Sequence, residues 1–575
     1  MEQTLALVVL AVLAIAGASV LGGRIRVASP LLLVAVGIGV SLLPFVPAFE
    51  VEPEWILTGV LPPLLYSASV SMPAMDFRRE FSAIGGLSVV LVILSAVVLG
   101  LFFSAVIPDL PLAWGIALGA IVSPTDAVAT SIVKRIGVSP RVVAILEGES
   151  LLNDATALVL LRAAVAAAAT GWSLGGVLQD FVLAVGIAVV IGVAVGRANL
   201  WARARVADAP VNTAISLTVP FVAALPAEHL GASGLVAAVV AGLVTGRGAP
   251  RVLSPEHRLS DSQTWHTIEA VLEGAVFLVM GLELYGLLED IRDDGHGAST
   301  TVLPAVAALA LVLAVRAAYV APLLALLQRR ARRGVAVRPR VDSLQQKLAD
   351  PEAFAAALTA VRARGGRLPR RWRGRPARRA VGAAARVARR ATGRRQLRVT
   401  PEHLERFGVR VRRRLADIDY LVADPLGPRE GVVVVWAGMR GAVTLAAAQT
   451  LPADAPDRSL LVFLAFLVAT GSLLLQGGTL GAVVRYVGPA TVDLEAQAAE
   501  RAKLAEVLRA TEARLRADAA GETLHPLDVI EAQRDVLLDL SREGAFSSAS
   551  LRGAMAALDA DQIRLELTGR PIGDE

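Results

Sequence analysis

Long apolar runs recur along the chain and are separated by short polar or charged segments. Runs such as Thr4–Leu21, Leu87–Ile107 and Ala305–Leu327 have the length, about 20 residues, that a helix needs to cross a hydrocarbon core roughly 30 Å thick. The first run follows no basic segment and precedes no small-residue cleavage site, so we interpret it as a span and not as a removed signal. The pattern predicts an all-α polytopic membrane protein.

The same pattern predicts about thirteen transmembrane helices. They lie near residues 3–21, 28–46, 54–72, 83–107, 112–133, 141–169, 176–199, 211–227, 231–246, 265–287, 302–328, 430–450 and 458–484. With the N-terminus outside, the inner segments include "GGRIR", "MDFRRE" and "GRANLWARAR", and the outer segments include "IPDLP" and "LEDIRDDGHG". Because Lys and Arg favour the cytoplasmic side of a membrane, this alternation predicts a cytoplasmic C-terminal tail.

Two polar segments divide the predicted domains. Residues 329–428 contain 27 Arg or Lys and 8 Asp or Glu, and they separate spans 1–11 (residues 1–328) from spans 12 and 13 (residues 429–488). Such charge suits nucleic acid or anionic lipid headgroups. The position between spans and the scarcity of interleaved aromatic residues favour lipid, so we expect a basic cytoplasmic loop and no nucleic-acid partner. Residues 489–575 are predicted to form a cytoplasmic helical tail.

Composition narrows the classes of function. The chain has 575 residues, 55% of them hydrophobic, and a mean hydropathy of +0.59, which excludes a soluble globular protein. It has no cysteine, so disulfides, thiolate nucleophiles and cysteine-ligated metals are excluded. The six histidines form no metal-like pair, and the sequence has no P-loop, zinc-protease motif or nucleophile elbow. We therefore expect neither an enzyme nor a bound cofactor.

Charged side chains inside spans cost on the order of 3 kcal/mol each at the bilayer centre, so those that persist indicate function. Four spans stand out, with Asp126 in the fifth, Glu149 and Asp154 with Ser150 and Asn153 in the sixth, Arg316 in the eleventh and Arg440 in the twelfth. The four sixth-span residues share one helical stripe, because they form two pairs with four-residue spacing. Capping of a helix N-terminus would explain Glu147 but not the deeper Asp154. We therefore predict a functional role for Asp154.

The fifth and twelfth spans are predicted to be broken helices. Pro124 lacks a backbone donor, and Gly438 and Gly441 weaken the helix on either side of Arg440. Broken helices at membrane depth persist only where they are buried in protein or line a wet cavity. A proline kink and a small-residue packing face are the alternatives. One interruption in each half, with a charge beside it, favours an inverted-repeat secondary transporter with a midplane site.

These motifs resemble those of the monovalent cation:proton antiporters, in the sodium/proton exchanger branch. The resemblance covers residues 1 to about 490 and is carried by "SPTDA", "EGESLLNDA", the isolated arginine of the eleventh span and "GMRGAVTLA". It implies a thirteen-span bundle with a core domain and a dimerisation domain, usually assembled as a homodimer. In this family no cofactor is implied beyond the transported cation and proton.

The resemblance also implies roles for single residues. Asp154 binds the cation or the proton in turn, Asn153 orients it, and Ser150 and the Thr125 carbonyl contact the ion. Asp126 reaches the ion through water.

Further roles concern the surroundings of that site. Glu149 is implied to pair with Arg316, and Arg440 to neutralise the break in the twelfth span. Glu273 matches an acidic position in the tenth span of the exchangers. Ser67 stands where some members have a glutamate in the cation shell, which lowers the number of carboxylates available here.

We expect antiport of Na⁺ (or Li⁺) against H⁺ across the plasma (inner) membrane, in the service of pH and sodium homeostasis. An Asn–Asp pair offers one titrating group, which favours one proton for one cation and electroneutral exchange. A K⁺/H⁺ exchanger or an anion symporter on a related scaffold is the first alternative. A sensor or enzyme that transports nothing is the second.

Overall fold

A computed structural model of the chain describes residues 2–25, 27–44, 51–170, 174–293, 298–348, 401–519 and 524–569. Within these ranges the chain folds into helices, and its β structure is one antiparallel bridge between Val138 and Thr491. Most of the predicted basic loop, residues 349–400, lies outside the described residues. The prediction of an all-helical chain is confirmed.

The helices are numbered here in chain order. They are α1 (Glu2–Ile25), α2 (Ser29–Ser41), α3 (Trp55–Ser71), α4 (Ala74–Val106), α5 (Leu112–Val122), α6 (Val128–Ile136), α7 (Pro140–Thr170), α8 (Leu174–Arg203), α9 (Ala209–His229), α10 (Gly234–Val252), α11 (Pro255–Leu282), α12 (Leu284–Asp293), α13 (Ala298–Leu348), α14 (Pro401–Ala423), α15 (Pro428–Trp436), α16 (Ala442–Gln449), α17 (Arg458–Val487), α18 (Leu494–Asp518), α19 (Pro526–Glu543) and α20 (Ser548–Gly569).

Among the described residues, nine helical segments are long and apolar enough to cross a membrane, and α2, α3 and α5 are shorter apolar helices. Each predicted span falls on one helix or on two consecutive ones, although residues 45–46 of the second span lie outside the described ranges. The number of crossings, and the internal repeat of the bundle, stay predictions.

Several helices extend beyond the apolar runs. The segment "MDFRRE", predicted as a loop, is the first part of α4. One face of this segment is buried against the protein. There Glu80 accepts a hydrogen bond of 2.6 Å from Nε of Arg141, which is equally buried at the start of α7. Hydropathy locates the lipid-facing part of a helix but overlooks such polar ends, since their charges are neutralised within the protein.

Two of the predicted spans are interrupted. In the fifth, α5 ends at Val122 and α6 begins at Val128. In the twelfth, α15 ends at Trp436 and α16 begins at Ala442. These interruptions leave backbone N–H and C=O groups without helical partners, and those groups create the site described below.

Small residues bring some helices close together. At the crossing of α2 and α11, Gly37 faces Gly281, and a Cβ added to Gly37 would lie 2.5 Å from the Leu278 carbonyl oxygen and 2.9 Å from the Gly281 Cα. Glycines at such crossings allow backbones to approach, and in membranes this packing supplies much of the association energy. The helix α11 also carries the acidic residues discussed below.

The chain divides into two compact units. One contains Met1–Leu327, Leu426–Ala499 and Ala556–Glu575, and the other contains Gln328–Pro425 and Glu500–Met555. In the second unit Glu500 accepts hydrogen bonds of 2.6 Å from the backbone N–H and the hydroxyl of Ser547 at the start of α20. In the same unit, Arg412 of α14 pairs with Glu543 of α19.

The α2–α11 crossing provides a test of the packing. We expect Gly37→Ala to destabilise the protein by roughly 1–3 kcal/mol, because the new methyl group overlaps the backbone of α11. Gly39→Ala is the matched control, because nothing lies within 4 Å of a Cβ at that position in the same helix. Thermal unfolding in detergent measures both variants. Equal midpoints would show that the crossing is not close-packed.

Candidate ion-binding site

The two interrupted spans meet, and a backbone hydrogen bond joins them. The N–H of Asp126, in the first interruption, donates to the Met439 carbonyl of the second at 2.8 Å. Neither group has a helical partner in its own span, so each satisfies the other. This contact fixes the two interruptions against each other in the interior of the bundle.

Arg440 provides the second connection. Its buried guanidinium donates from Nε to the Val122 carbonyl at 2.9 Å, from Nη2 to the Ser123 carbonyl at 3.4 Å, and from Nη1 to the Gly438 carbonyl. The first two carbonyls end α5, where the helix dipole is negative, and a cation is favoured there. Arg440 therefore neutralises the carbonyl ends at both interruptions.

Asp126 lies at the starts of two half-helices. Its Oδ1 accepts a hydrogen bond of 2.8 Å from the N–H of Val128 in the first turn of α6. Its carboxylate also lies against Gly441, at the N-terminus of α16, so closely that a Cβ at residue 441 would overlap it. Helix N-termini stabilise negative charge, so Asp126 occupies a favourable position for a carboxylate.

Asn153 connects the first interruption to α7. Its Nδ2 donates to the carbonyl oxygen of Thr125 at 2.9 Å and to the Thr125 hydroxyl at 2.7 Å. Its Oδ1 accepts from the backbone N–H of Asp154 at 2.7 Å. Asn153 is completely buried, so this amide fixes the loop next to the interruption.

Asp154 lies nearby on α7 and is only 9% exposed. Asp126 is close enough to act on it electrostatically. A small cavity of about 10 Å³ adjoins Asp154. The rest of its lining is Pro124 and apolar residues such as Leu158, Leu161 and Val443. That volume is close to the minimum for a single water. Apolar side chains of α5, α7 and α16 therefore close this side of the carboxylate.

Ser150 lies one turn before Asp154. Its hydroxyl donates to the Glu147 carbonyl at 3.1 Å within the same helix. A serine hydroxyl that donates in this way keeps oxygen lone pairs free to accept or to coordinate. The carbonyl of Thr125 likewise has a second lone pair beside the bond from Asn153.

Glu149 and Arg316 form a bidentate ion pair. Nη1 contacts Oε1 at 2.5 Å and Nη2 contacts Oε2 at 2.8 Å, with both side chains 2% exposed. Thr125 donates its hydroxyl to Glu149 Oε1 at 3.0 Å, and Arg316 Nε donates to the Val434 carbonyl of α15 at 3.0 Å. The pair thus links α7 and α13 to the helix that leads into the second interruption.

Glu273 is half-buried on α11, within electrostatic range of Asp126. Sequence reasoning missed Glu269, one turn earlier on the same face, which accepts a hydrogen bond of 3.4 Å from the hydroxyl of Ser67. The four-residue spacing to Glu273 was the available signal. Position 67 therefore lacks a carboxylate of its own but lies against one from α11.

The sequence also did not reveal a further buried ion pair, outside this site. Arg203 Nη2 lies 3.1 Å from Asp261 Oδ2, and Arg203 Nε donates to Asn212 Oδ1 at 2.7 Å. Arg203 is fully buried, although it falls in the segment predicted as an inner loop. Across the described residues, no group of three or more His, Asp or Glu side chains is arranged to hold a metal ion.

Comparison with known proteins identifies the class. The fold resembles that of the sodium proton antiporter MjNhaP1 from Methanocaldococcus jannaschii, with a TM-score of 0.52 and 15% sequence identity over 85% of this chain and 99% of that one. The sodium/hydrogen exchanger transmembrane family matches residues 8–347 and 409–486, and the chain belongs to that family. It is therefore a multi-pass membrane protein with an antiporter fold.

Two relatives illustrate the range of the family. An uncharacterized Na⁺/H⁺ exchanger of Escherichia coli, YjcE, is 36% identical over 269 residues, which are 45% of this chain and 49% of that protein. A sodium, potassium, lithium and rubidium/H⁺ antiporter of Bacillus subtilis is 33% identical over 274 residues, 46% of this chain and 41% of that protein. The aligned region thus spans half or less of each of these relatives.

The Glu149–Arg316 pair provides a test of the site. We expect Glu149→Ala to cost on the order of 3–5 kcal/mol and to lower the yield of folded protein, because it leaves Arg316 buried without its counter-ion. Combining Glu149→Arg with Arg316→Glu should restore part of the yield. Fluorescence-detected size-exclusion chromatography measures the folded fraction.

Glu147→Ala is the matched control. Glu147 lies on the same helix, but its ion-pair partner Lys134 has a side chain that is 54% exposed, and exposed pairs contribute only about 0–1 kcal/mol. Equal losses for the two alanine variants would argue against a special role for the buried pair.

Proposed function

We propose that this chain exchanges Na⁺ (or Li⁺) for H⁺ across the plasma (inner) membrane. The observation that carries the proposal is a buried carboxylate, Asp154, next to the meeting point of two interrupted helices. Membership of the sodium/hydrogen exchanger family supports it. Interrupted helices that meet inside a membrane protein supply backbone oxygens and helix ends for an ion, as secondary transporters require.

The candidate ligands suit a small hard cation. In the proposal, the ion contacts the Asp154 carboxylate, the Ser150 hydroxyl and the Thr125 carbonyl, while Asp126 contacts it through water. Asn153 contributes by holding the Thr125 carbonyl in place. Oxygen donors of this kind are the ligands that alkali and other hard cations prefer.

The charges around the site favour the binding of one monovalent species at a time. Glu149 and Arg316 neutralise each other, and Arg440 can balance one of the two carboxylates Asp126 and Asp154. Among Asp126, Asp154 and Arg440 alone, without Glu273 of α11, one negative charge is then left over. Either a cation or a proton can neutralise it, but the binding of both would leave an excess positive charge in a buried place.

Competition for that carboxylate leads to exchange. Desolvation disfavours an unpaired buried charge, so Asp154 is expected to be occupied by a proton or by a cation whenever the site changes sides. Release of one species is then needed before the other binds. Because the neighbouring Asn153 cannot titrate, we propose a ratio of one proton to one cation and electroneutral transport.

A K⁺/H⁺ exchanger on the same scaffold is the second candidate. The Bacillus subtilis relative is named as an antiporter of potassium and rubidium as well as sodium and lithium. Position 67 offers a hydroxyl and not a carboxylate. The missing charge would weaken the preference of the site for the small, strongly hydrated cations Li⁺ and Na⁺ over K⁺. Comparison of the cations in one assay separates the two candidates.

The wider organisation is part of the proposal. We propose that the N-terminus faces outward, that the basic loop and the tail are cytoplasmic, and that the chain forms a homodimer with separate core and dimerisation domains. The physiological role would be pH and sodium homeostasis. In this orientation a cavity of about 1100 Å³ opens on the outer side, opposite the basic loop. Its lining includes the acidic residues Glu52, Asp290 and Asp457, which would attract cations.

Replacement of the central carboxylate tests the function. We expect Asp154→Asn to insert normally but to abolish cation-dependent pH changes in everted vesicles, because an amide can neither bind nor release the proton. The assay is dequenching of a pH-sensitive dye on addition of Na⁺, Li⁺ or K⁺, in a host without its own antiporters.

Asp208→Asn is the control, because Asp208 caps α9 at an exposed position and asparagine caps a helix equally well. Full exchange by Asp154→Asn would refute the assignment of Asp154. Absence of exchange in the unmodified chain with all three cations would refute the proposed function.

Electroneutrality has its own test. In proteoliposomes we expect the rate of Na⁺-driven proton movement to be the same with and without a potassium diffusion potential set by valinomycin. The reason is that a one-for-one exchange moves no net charge. A rate that changes about tenfold per 60 mV of applied potential would indicate net transfer of one charge, about 1.4 kcal/mol at that voltage.

A further inference from the structure

The interruption of the twelfth span removes a specific hydrogen bond. In a continuous α-helix the N–H of Arg440 would donate to the carbonyl of Trp436, four residues earlier. Here α15 ends at Trp436, and these two groups are separated. Both lie inside the protein, where an unpaired backbone group costs about 1–3 kcal/mol.

Two side chains of α17 replace that bond. The N–H of Arg440 donates to the hydroxyl of Ser472 at 3.0 Å, and the Trp436 carbonyl accepts from Nε2 of Gln476 at 2.9 Å. The Ser472 hydroxyl in turn donates to Oε1 of Gln476 at 2.5 Å. The three hydrogen bonds therefore form a continuous bridge. It runs from the Arg440 N–H through Ser472 and Gln476 to the Trp436 carbonyl.

The bridge is built into a special part of α17. Ser472 and Gln476 are both completely buried. Ser472 immediately precedes a π-type turn at Leu473–Gly477, and Gln476 lies within it; such turns are rare in helices and recur at functional sites. Buried polar side chains in a largely apolar helix are costly unless they are hydrogen-bonded, and Ser472 and Gln476 bond to each other and to the two backbone groups freed by the interruption.

The bridged segment, residues 437–441, reaches the candidate ion site directly. Met439 accepts the hydrogen bond from the Asp126 N–H, and the Arg440 guanidinium binds the last carbonyls of α5. Gly441 lies against the Asp126 carboxylate. A change in the path of this segment would therefore move Asp126, and with it the surroundings of Asp154.

We propose that Ser472 and Gln476 are positioning residues that hold the twelfth span open in the geometry required for ion binding. They act through the backbone of residues 437–441 and do not touch the ion. Without them, the segment is free to form the helical bond between Arg440 and Trp436, which draws Met439 away from Asp126. The proposal rests on the proposed function for its transport readout and on the fold alone for its structural readout.

Transport kinetics provide the first test. Ser472→Ala removes one oxygen, and Gln476→Met keeps the shape of the side chain without its amide. We expect each to raise the apparent KM for Na⁺ about tenfold, as the loss of groups that orient ion ligands does elsewhere. Because the bridge needs both residues, the double variant should be no worse than the more affected single variant.

Thr470→Val is the matched control. Thr470 is buried on the same helix, and its hydroxyl has no hydrogen-bond partner among the described residues, so its KM should match that of the unmodified chain. Multiplicative effects in the double variant would overturn the proposal of a single bridge. A KM unchanged in both single variants, with only yield reduced, would show a purely structural role and would also overturn it.

Hydrogen exchange provides a second readout that needs no transport. In detergent, the amide of Arg440 should exchange faster in Ser472→Ala than in the unmodified chain or in Thr470→Val. Equal protection in all three would overturn the proposal, whatever the transport result. If the unmodified chain shows no exchange of Na⁺ for H⁺ but the amide responds as expected, the proposed function fails and the bridge stands.

Discussion

The pairing of backbone groups at the two helix interruptions is the constraint on which the rest of the structure depends. Inside a membrane protein, each N–H or C=O that leaves a helix must find another partner. Arg440 satisfies the carbonyls that end α5, the Asp126 N–H satisfies Met439, and Ser472 with Gln476 satisfies the two groups separated at Trp436. The interruptions therefore persist because they are paired with each other and with α17.

This arrangement also decides which oxygens are available to an ion. The backbone groups that secure the crossing each have a hydrogen-bond partner, and the proposed function assigns Asp154 and the second lone pair of the Thr125 carbonyl to the ion. Asn153 belongs to the securing groups, because its amide holds Thr125. The role that the family resemblance implies for Asn153, orientation of the neighbouring aspartate, stays a prediction; the structure shows the amide bonded to Thr125 and to the backbone N–H of Asp154.

Sequence alone reveals the features that depend on local composition. Apolar runs locate the helices, and Pro124 with the glycines on either side of Arg440 indicates where two of them are interrupted. A charge deep in an apolar run singles out Asp154 and Arg316 in the same way. These signals are readable because each departs from the residues around it.

Features that depend on distant partners stay hidden. Ser472 and Gln476 are ordinary polar residues in an apolar helix until their backbone partners, more than thirty residues away in the chain, are known. Arg203 is read as part of a loop because its partners, Asn212 and Asp261, lie on other helices. Glu269 is overlooked because its spacing to Glu273 has meaning only when Ser67 is seen opposite it.

The segment that follows α17 makes a further connection between the two interrupted spans. Val138, in the loop between α6 and α7, pairs with Thr491, and the next residue, Ser139, donates its N–H to the Ala490 carbonyl at 2.9 Å. Glu430, at the start of α15, accepts from the N–H of Ala490 at 2.9 Å. The loop that joins α6 and α7, the two helices after the first interruption, is thus attached to the segment after α17, the helix that bridges the second interruption. A displacement of α17 would therefore act on the two interruptions together.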